Sequence, residues 1–325
     1  MGHTKKQRYV LGYDVGGTKV VAVLATTDAE VVQESRLENW ASDNWQADLE
    51  RLREQGNALL EQTGLARSDL SAVGLSVPGP MNPQTGIVFD APNLEGWVNV
   101  PVADAMAEAF ETPARIENDA NAAALAEWRF GAGRGEPDLI YLTVSTGLGA
   151  GLVLEGKVRQ GHQGQAGEIG HMQIVPDGRQ CHCGLRGCLE AYVGGRALAN
   201  RIREEVAQGR STQILELAGG NPANINAQHW VQGIRAGDPY SLELQAEFIE
   251  RLAQGIGIVI HAFDPSCVAL GTIVQRNVDL FLDTLIARTR ELTWPSLHHV
   301  KIKPAELGDA LPRYAALSVA LPEDA

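Results

Sequence analysis

Two stretches of the chain carry the same alternation of apolar runs and glycine. From Tyr9 to Thr26, YVLGYDVGGTKVVAVLAT sets two β-branched apolar runs on either side of Gly16 and Gly17, which predicts two strands joined by a tight turn. From Leu139 to Gly156, LIYLTVSTGLGAGLVLEG repeats this layout around Gly147, Gly149 and Gly151. Laying Gly16 on Gly147 puts strand on strand and turn on turn, so the chain reads as an internal duplication. Between the two stretches the pattern predicts a helix over about 44–63, a strand in LSAVGLSVPGP, a loop in PGPMNPQTGIVFDAPNLEGW and a helix in VADAMAEAF. A further helical run, DANAAALAEWRFG, follows Asn118. The later part is mainly helical (RALANRIREEVAQ, then SLELQAEFIERLAQGIGIVIHAF), with a buried strand in CVALG and an Ala-rich closing segment at about 313–320. Strands and helices mixed in this way indicate an α/β fold. GHQGQAGEIG spaces glycine by three, but the run is short and proline-free, so it reads as a loop rather than a collagen-like repeat.

A chain of 325 residues is longer than one ordinary domain, so two lobes are expected, each with its own core and with a ligand cleft between them. Lys plus Arg total 27 against 40 for Asp plus Glu, a formal net charge of −13. That balance argues against a nucleic-acid partner or an anionic membrane surface. A phosphate ligand must therefore be met by backbone N–H groups, a few basic side chains and a divalent cation. No run of eighteen apolar residues exists, and the N-terminus passes from a short basic leader into a strand-like segment without a signal-peptide core. The expectation is a soluble, cytoplasmic protein. Four cysteines are too few for a disulfide-stapled secreted fold, and their clustering points to a metal.

Glycine lets a backbone turn tightly and leaves no Cβ between its N–H groups and a ligand. Taken singly, the two turns are ordinary hairpins; facing each other, they would hold a polyphosphate chain from both sides. Asp14 stands where a strand ends and could hold a hydrated Mg²⁺, while Thr18 and Lys19 add a hydroxyl and a charge. GGTK is not a Walker A loop, because the chain continues as strand rather than helix. Asn118 and Asp119 precede a helical run, where either side chain reads as an N-cap. Cys181, Cys183 and Cys188 form a C-x-C-x4-C loop eased by Gly184 and Gly187. Such a loop offers three of zinc's four ligands, and His182 and His171 compete for the fourth place. His182, flanked by two ligands, is expected to point outward. Unligated thiols are the plainer alternative, since a bridge between Cys181 and Cys183 would be strained. Cys267 reads as a buried strand residue.

In this order, DVGGTK, STGLGAG, ENDANAAALAE, GQAGEIGH and CHCGLRGCLE resemble the ROK family of sugar kinases and sugar-responsive repressors. The resemblance runs from Tyr9 to the final helix and looks most like the family's bacterial ATP-dependent glucokinases. It implies an actin-like, hexokinase-type duplicated fold. On that basis residues 1–118, joined by a C-terminal helix at about 310–325, form a small lobe. Residues 119–309 form a large lobe carrying the zinc loop and a dimer surface. It also implies ATP and Mg²⁺ dependence and a homodimer or homotetramer.

By the same resemblance Asp119 is the general base and Asn118 orients the sugar. Glu168, His171 and Glu190 meet hydroxyls on the anomeric side, and Asn93 and the backbone at Gly79 close the pocket. Gly16, Gly17, Thr18 and Lys19 with Thr146, Gly147 and Gly149 serve the phosphates, and Gly271 lies near the nucleotide. The resemblance also selects His171 as the ligand completing a closed, structural Zn²⁺ site with the three cysteines. One departure stands out: the family usually has two or three consecutive glycines where this chain has ALGTIVQ, with Thr272 after Gly271.

The expected activity is ATP-dependent phosphorylation of a hexose at O6, glucose to glucose 6-phosphate. Mannose, fructose, N-acetylglucosamine and N-acetylmannosamine are the alternative substrates, and polyphosphate is an alternative donor for which no basic channel is visible. A sugar-sensing repressor of the same family would carry a winged-helix domain ahead of this part and often lose its phosphate-turn residues. Here Asp14 stands near the start and DVGGTK is intact, which disfavours that reading. A zinc hydrolase would need an open metal position.

Overall fold

The computed structural model describes residues 7–91 and 93–322. The basic leader at 1–6, Pro92, and residues 323–325 at the end of the expected C-terminal segment lie outside them. The described residues divide into two compact units. The first runs to Asp138 and takes in Gly151–Ala166 and the residues from Leu307 onward; the second comprises Leu139–Ala150 and Gly167–Glu306. The division after Asp138 lies twenty residues beyond the position read from the sequence, because the helix that follows Asn118 stays with the first unit.

The chain opens with β1 (Tyr9–Val15), β2 (Lys19–Thr26) and the edge strand β3 (Val31–Glu38). Helix α1 (Trp45–Thr63) and β4 (Leu70–Val77) follow, then three short strands, β5 (Met81–Asn82), β6 (Ile87–Asp90) and β7 (Val98–Val100). Helix α2 (Val102–Phe110), β8 (Ala114–Asn118) and α3 (Asp119–Phe130) complete this part. The main sheet has the order β3-β2-β1-β4-β8, with an antiparallel hairpin on one side and the parallel strands β1, β4 and β8 on the other.

Alternation along β1 sorts its residues between two cores. Leu11 and Tyr13 join Leu52, Leu59 and Phe110 on the face covered by α1 and α2, and Val10 points to the opposite face. Each such fully buried side chain contributes roughly 1.5–3 kcal/mol relative to exposure. Helix α1 starts at Asn44, whose side chain caps the Ala47 N–H, and stops at Gly64 with φ 69°. The segment read as a loop holds the strands β5 and β6, which with β7 just after it form a separate three-stranded sheet, and strands of two to four residues are too short for alternation to show. Strand β3 was also unread, because at an edge its charged positions face water and its apolar ones are few.

The remaining strands and helices are β9 (Leu139–Val144), β10 (Leu148–Leu154), β11 (Lys157–Val158), α4 (Glu190–Val193), α5 (Gly195–Ala207), α6 (Gln213–Leu217) and α7 (Ala227–Arg235). They continue with α8 (Pro239–Phe263), β12 (Cys267–Thr272), α9 (Ile273–Arg276), α10 (Val278–Glu291), β13 (Lys301–Pro304) and α11 (Leu311–Ala320). The second sheet has the order β11-β10-β9-β12-β13, which repeats the first sheet position by position. This is the actin-like duplicated α/β architecture, and the recurrence of the order confirms the duplication. Within the second unit, Trp230, Phe248 and Phe281 stack at 5.2–5.7 Å between centroids on α7, α8 and α10. Helix α11 returns to the first unit, where Ala316, Leu317 and Ala320 pack on Val10, Val23 and Ala72. No helix among the described residues is long and apolar enough to cross a membrane.

Candidate functional site

Register places the first unit's candidate residues along one edge of its main sheet. Asp14 on β1 lies opposite Ser76 on β4, and Ser76 and Val77 lie opposite Glu117 and Asn118 on β8. These are the C-terminal ends of three neighbouring parallel strands, where open α/β sheets characteristically receive ligands. The Ser76 hydroxyl donates to Asp14 Oδ1 at 2.7 Å. Burial pushes the Asp14 carboxyl up to about 6; the Ser76 bond opposes this, the charge of Asp119 adds to it, and Lys19 counteracts it.

The glycine turn is held from behind. Gly16 N–H donates to the Lys19 carbonyl at 2.9 Å, the Trp40 indole donates to the Gly16 carbonyl at 2.7 Å, and Asn39 N–H donates to the Thr18 carbonyl at 2.7 Å. Thr18 and Lys19 are exposed. Asn93 packs against Gly17, and the Asn118 amide packs against Gly79, so the loop residues selected from the sequence reach this same edge. Trp97 anchors their segment: its indole donates to the buried Asp48 carboxylate at 3.0 Å and its ring meets Trp40 edge-on.

Asn118 is the N-cap of α3, its Oδ1 accepting the Ala120 N–H at 2.9 Å. Asp119, the first residue of the helix, is exposed and accepts the same N–H at 2.8 Å. The two readings of this pair are thus compatible: one side chain caps while its neighbour presents a carboxylate at the helix start. Glu117 sits behind them, buried, accepting from the Asn118 N–H, the Asn121 amide and the Gln160 amide. Burial pushes its carboxyl upward against those three bonds. Neither Ser76 nor Glu117 was selected from the sequence, because their roles depend on strand register.

In the second unit a cavity of about 740 Å³ opens beside the β9–β10 turn. Ser145, Thr146, Arg196, Arg203, Asn226 and Thr272 are among its lining residues. Thr146, selected from the sequence, is there; Gly271 is buried one residue behind Thr272, against the Tyr141 ring. Gly149 lies within β10. Gly147 leaves space for Glu190: the Glu190 Oε2 atom lies 2.3 Å from where a Cβ at position 147 would be. That oxygen accepts the Leu148 N–H at 2.8 Å. Glu190, buried at the start of α4, is therefore fastened to the second glycine turn.

The cysteine loop lies in the same unit. Gly187, with φ 76°, turns it so closely over the Val175 carbonyl that no side chain fits there. Cys181, Cys183, Cys188 and His171 each offer a ligand atom within 4.8 Å of the others. Zn–S bonds of about 2.3 Å in a tetrahedron place sulfurs about 3.8 Å apart. Cys183 Sγ and Cys188 Sγ are separated by 3.8 Å, and Cys181 Sγ lies 3.7 Å from His171 Nδ1. The donor set and its spacing fit zinc. The other imidazole nitrogen, His171 Nε2, lies 3.9 Å from the exposed Glu168 carboxylate. His182 does not simply point away: its Nδ1 meets Glu190 Oε1 at 2.7 Å while much of the ring stays in solvent. With Glu190 and His171 it forms a second, overlapping group of ligand atoms.

The family model described as "ROK family" matches residues 10–321. The chain belongs to the ROK family. It is 31% identical over 287 residues to a glucokinase of Thermotoga maritima, covering 88% of this chain and 89% of that one. The crystal structure of a ROK family glucokinase from Streptomyces griseus, in complex with glucose and AMPPNP, matches with a TM-score of 0.74 at 30% identity. That match covers 96% of this chain and 98% of the other. A xylose repressor of Caldicellulosiruptor bescii is 30% identical over 305 residues, covering 92% of this chain and 75% of the repressor.

Proposed function

We propose that the protein transfers the γ-phosphoryl group of ATP to O6 of a hexose, with glucose as its preferred substrate. The observation that carries this reading is the alignment of Asp14, Ser76, Glu117 and Asn118 at the C-terminal edge of three parallel strands, with Asp119 opening the helix that follows. A sugar hydroxyl is a weak nucleophile, and phosphoryl transfer asks of the protein mainly alignment, charge neutralisation and a carboxylate to take the proton. Asp119 takes the proton of the O6 hydroxyl as that oxygen bonds to the γ-phosphorus and ADP departs. Asn118, held as the helix cap, and Asn93 orient the sugar. Asp14 would hold a hydrated Mg²⁺, which neutralises phosphate charge when bound, and the Ser76 bond keeps its carboxylate oriented. Gly79, Glu168, His171 and Glu190 bind the hexose hydroxyls, and the 740 Å³ cavity receives the nucleotide.

Zinc would be held by His171, Cys181, Cys183 and Cys188 as a closed structural site. With all four ligands from the protein no coordination position is left for water, so its part is to fix the His171 imidazole. Glucokinase relatives at about 30% identity support glucose over other hexoses. The xylose repressor relative supports a second reading, sugar sensing without chemistry.

A coupled assay of ADP release over glucose, mannose, fructose, N-acetylglucosamine and N-acetylmannosamine separates the two with ATP as donor, and hexose phosphate formation is measured directly when polyphosphate replaces ATP. Turnover of glucose that falls about 10²–10⁴-fold in Asp119→Asn, with glucose binding retained, is the expected result. Binding of a sugar without turnover of any hexose would favour the sensor.

A further inference from the structure

Thr272 ends β12 with φ 52° and ψ −103°. A β-branched residue rarely adopts a positive φ, since its Cβ and backbone oxygens crowd one another; glycine is the residue that adopts it freely. ALGTIVQ thus keeps a glycine-like backbone while placing a threonine on it. Register sets Thr272 opposite Val144 of β9 and Gly271 opposite Thr143. The Thr272 and Thr143 hydroxyl oxygens lie 3.0 Å apart, one donating to the other. Thr272 also lines the 740 Å³ cavity, beside Ser145, Thr146 and Asn277.

We propose that Thr272 is a specificity-determining residue of this cavity, whose paired hydroxyl donates to a phosphoryl oxygen of the bound nucleotide. The proposal rests on the reading of the cavity as the nucleotide site. Two hydroxyls bring two protons, and their mutual bond uses one. The pair therefore offers one donor, which suits an acceptor-only group. Phosphoryl oxygens accept without donating and, being anionic, accept more strongly than ribose hydroxyls or the neutral ring nitrogens of the base. A strained position is maintained where surrounding structure or function over-determines it, and here the strand pairing and the Thr143 bond hold the hydroxyl at the cavity wall.

The test is titration of the full-length wild-type protein, T272G, T272V and T272S with AMPPNP and with adenosine, by calorimetry, alongside their melting temperatures. T272G and T272V should bind AMPPNP at least about tenfold more weakly, as expected for loss of a hydrogen bond to a charged acceptor, with adenosine binding unchanged. T272S should restore AMPPNP affinity. Unchanged AMPPNP affinity in both T272G and T272V would overturn the assignment, as would an equal loss toward adenosine. Wild-type protein that binds no AMPPNP would instead overturn the nucleotide reading of the cavity, and the assignment with it.

Discussion

Replacing Asp14 by asparagine should make the protein more stable and inactive at once. The Asp14 carboxyl is raised from 3.8 to about 6, first by burial and then by the charge of Asp119, against the Ser76 bond and Lys19. A carboxyl whose folded value is raised favours folding in its protonated form. That advantage is complete below pH 3.8 and is lost as pH rises through about 6. The shift is about two units, at about 1.36 kcal/mol each, so the ionised group costs the fold up to about 3 kcal/mol at pH 7. Asparagine keeps the shape and an oxygen for the Ser76 hydroxyl but carries no charge at any pH. The stability difference between D14N and wild type should therefore be near zero at pH 3.5, grow between pH 4 and 6, and level off above about pH 7. Urea unfolding midpoints across that range, without added magnesium, measure it directly, and the coupled ADP assay should show at least a hundredfold loss of rate. A D14N variant less stable than wild type at pH 7, or a difference that does not change with pH, would refute the reasoning.

Two further outcomes follow from the second unit. Stripping zinc with a chelator, or replacing Cys188 by serine, should lower the melting temperature and raise KM for glucose about tenfold or more together, because the cluster holds the His171 ring; metal-free protein that kept both properties would contradict a structural zinc site. Trp230→Ala should cost about 3–5 kcal/mol by emptying the space beside Phe248 and Phe281, read as a lower denaturation midpoint, while glucose KM stays at the wild-type value.

Much of the architecture was legible because its signals are local. Strand–glycine–strand patterns at 9–26 and 139–156 sit within short windows, and the observed strands β1, β2, β9 and β10 occupy them. Helices with long apolar stripes, such as α1 and α8, were equally plain. The cysteine cluster was visible for the same reason, since three ligands lie within eight residues. The short strands lack a local signal: β13 has four residues, and β5, β6 and β7 are short strands in and beside a segment rich in turn residues.

The sequence by itself determined the duplication, the α/β class, the two glycine turns and the identities of the residues that carry charge or could hold a metal. Tertiary structure decided how those residues are set. Ser76 reaches Asp14 across 62 positions, Trp40 props the Gly16 carbonyl, Glu190 is tied to the Leu148 N–H across 42 positions, and Thr272 takes a backbone conformation that only its neighbours can enforce. Hydrogen bonds act through space over about 3 Å, and only the folded packing of strands, helices and loops brings such distant positions that close. A raised carboxyl is likewise a property of burial and neighbouring charge, neither of which exists until the sheet has formed.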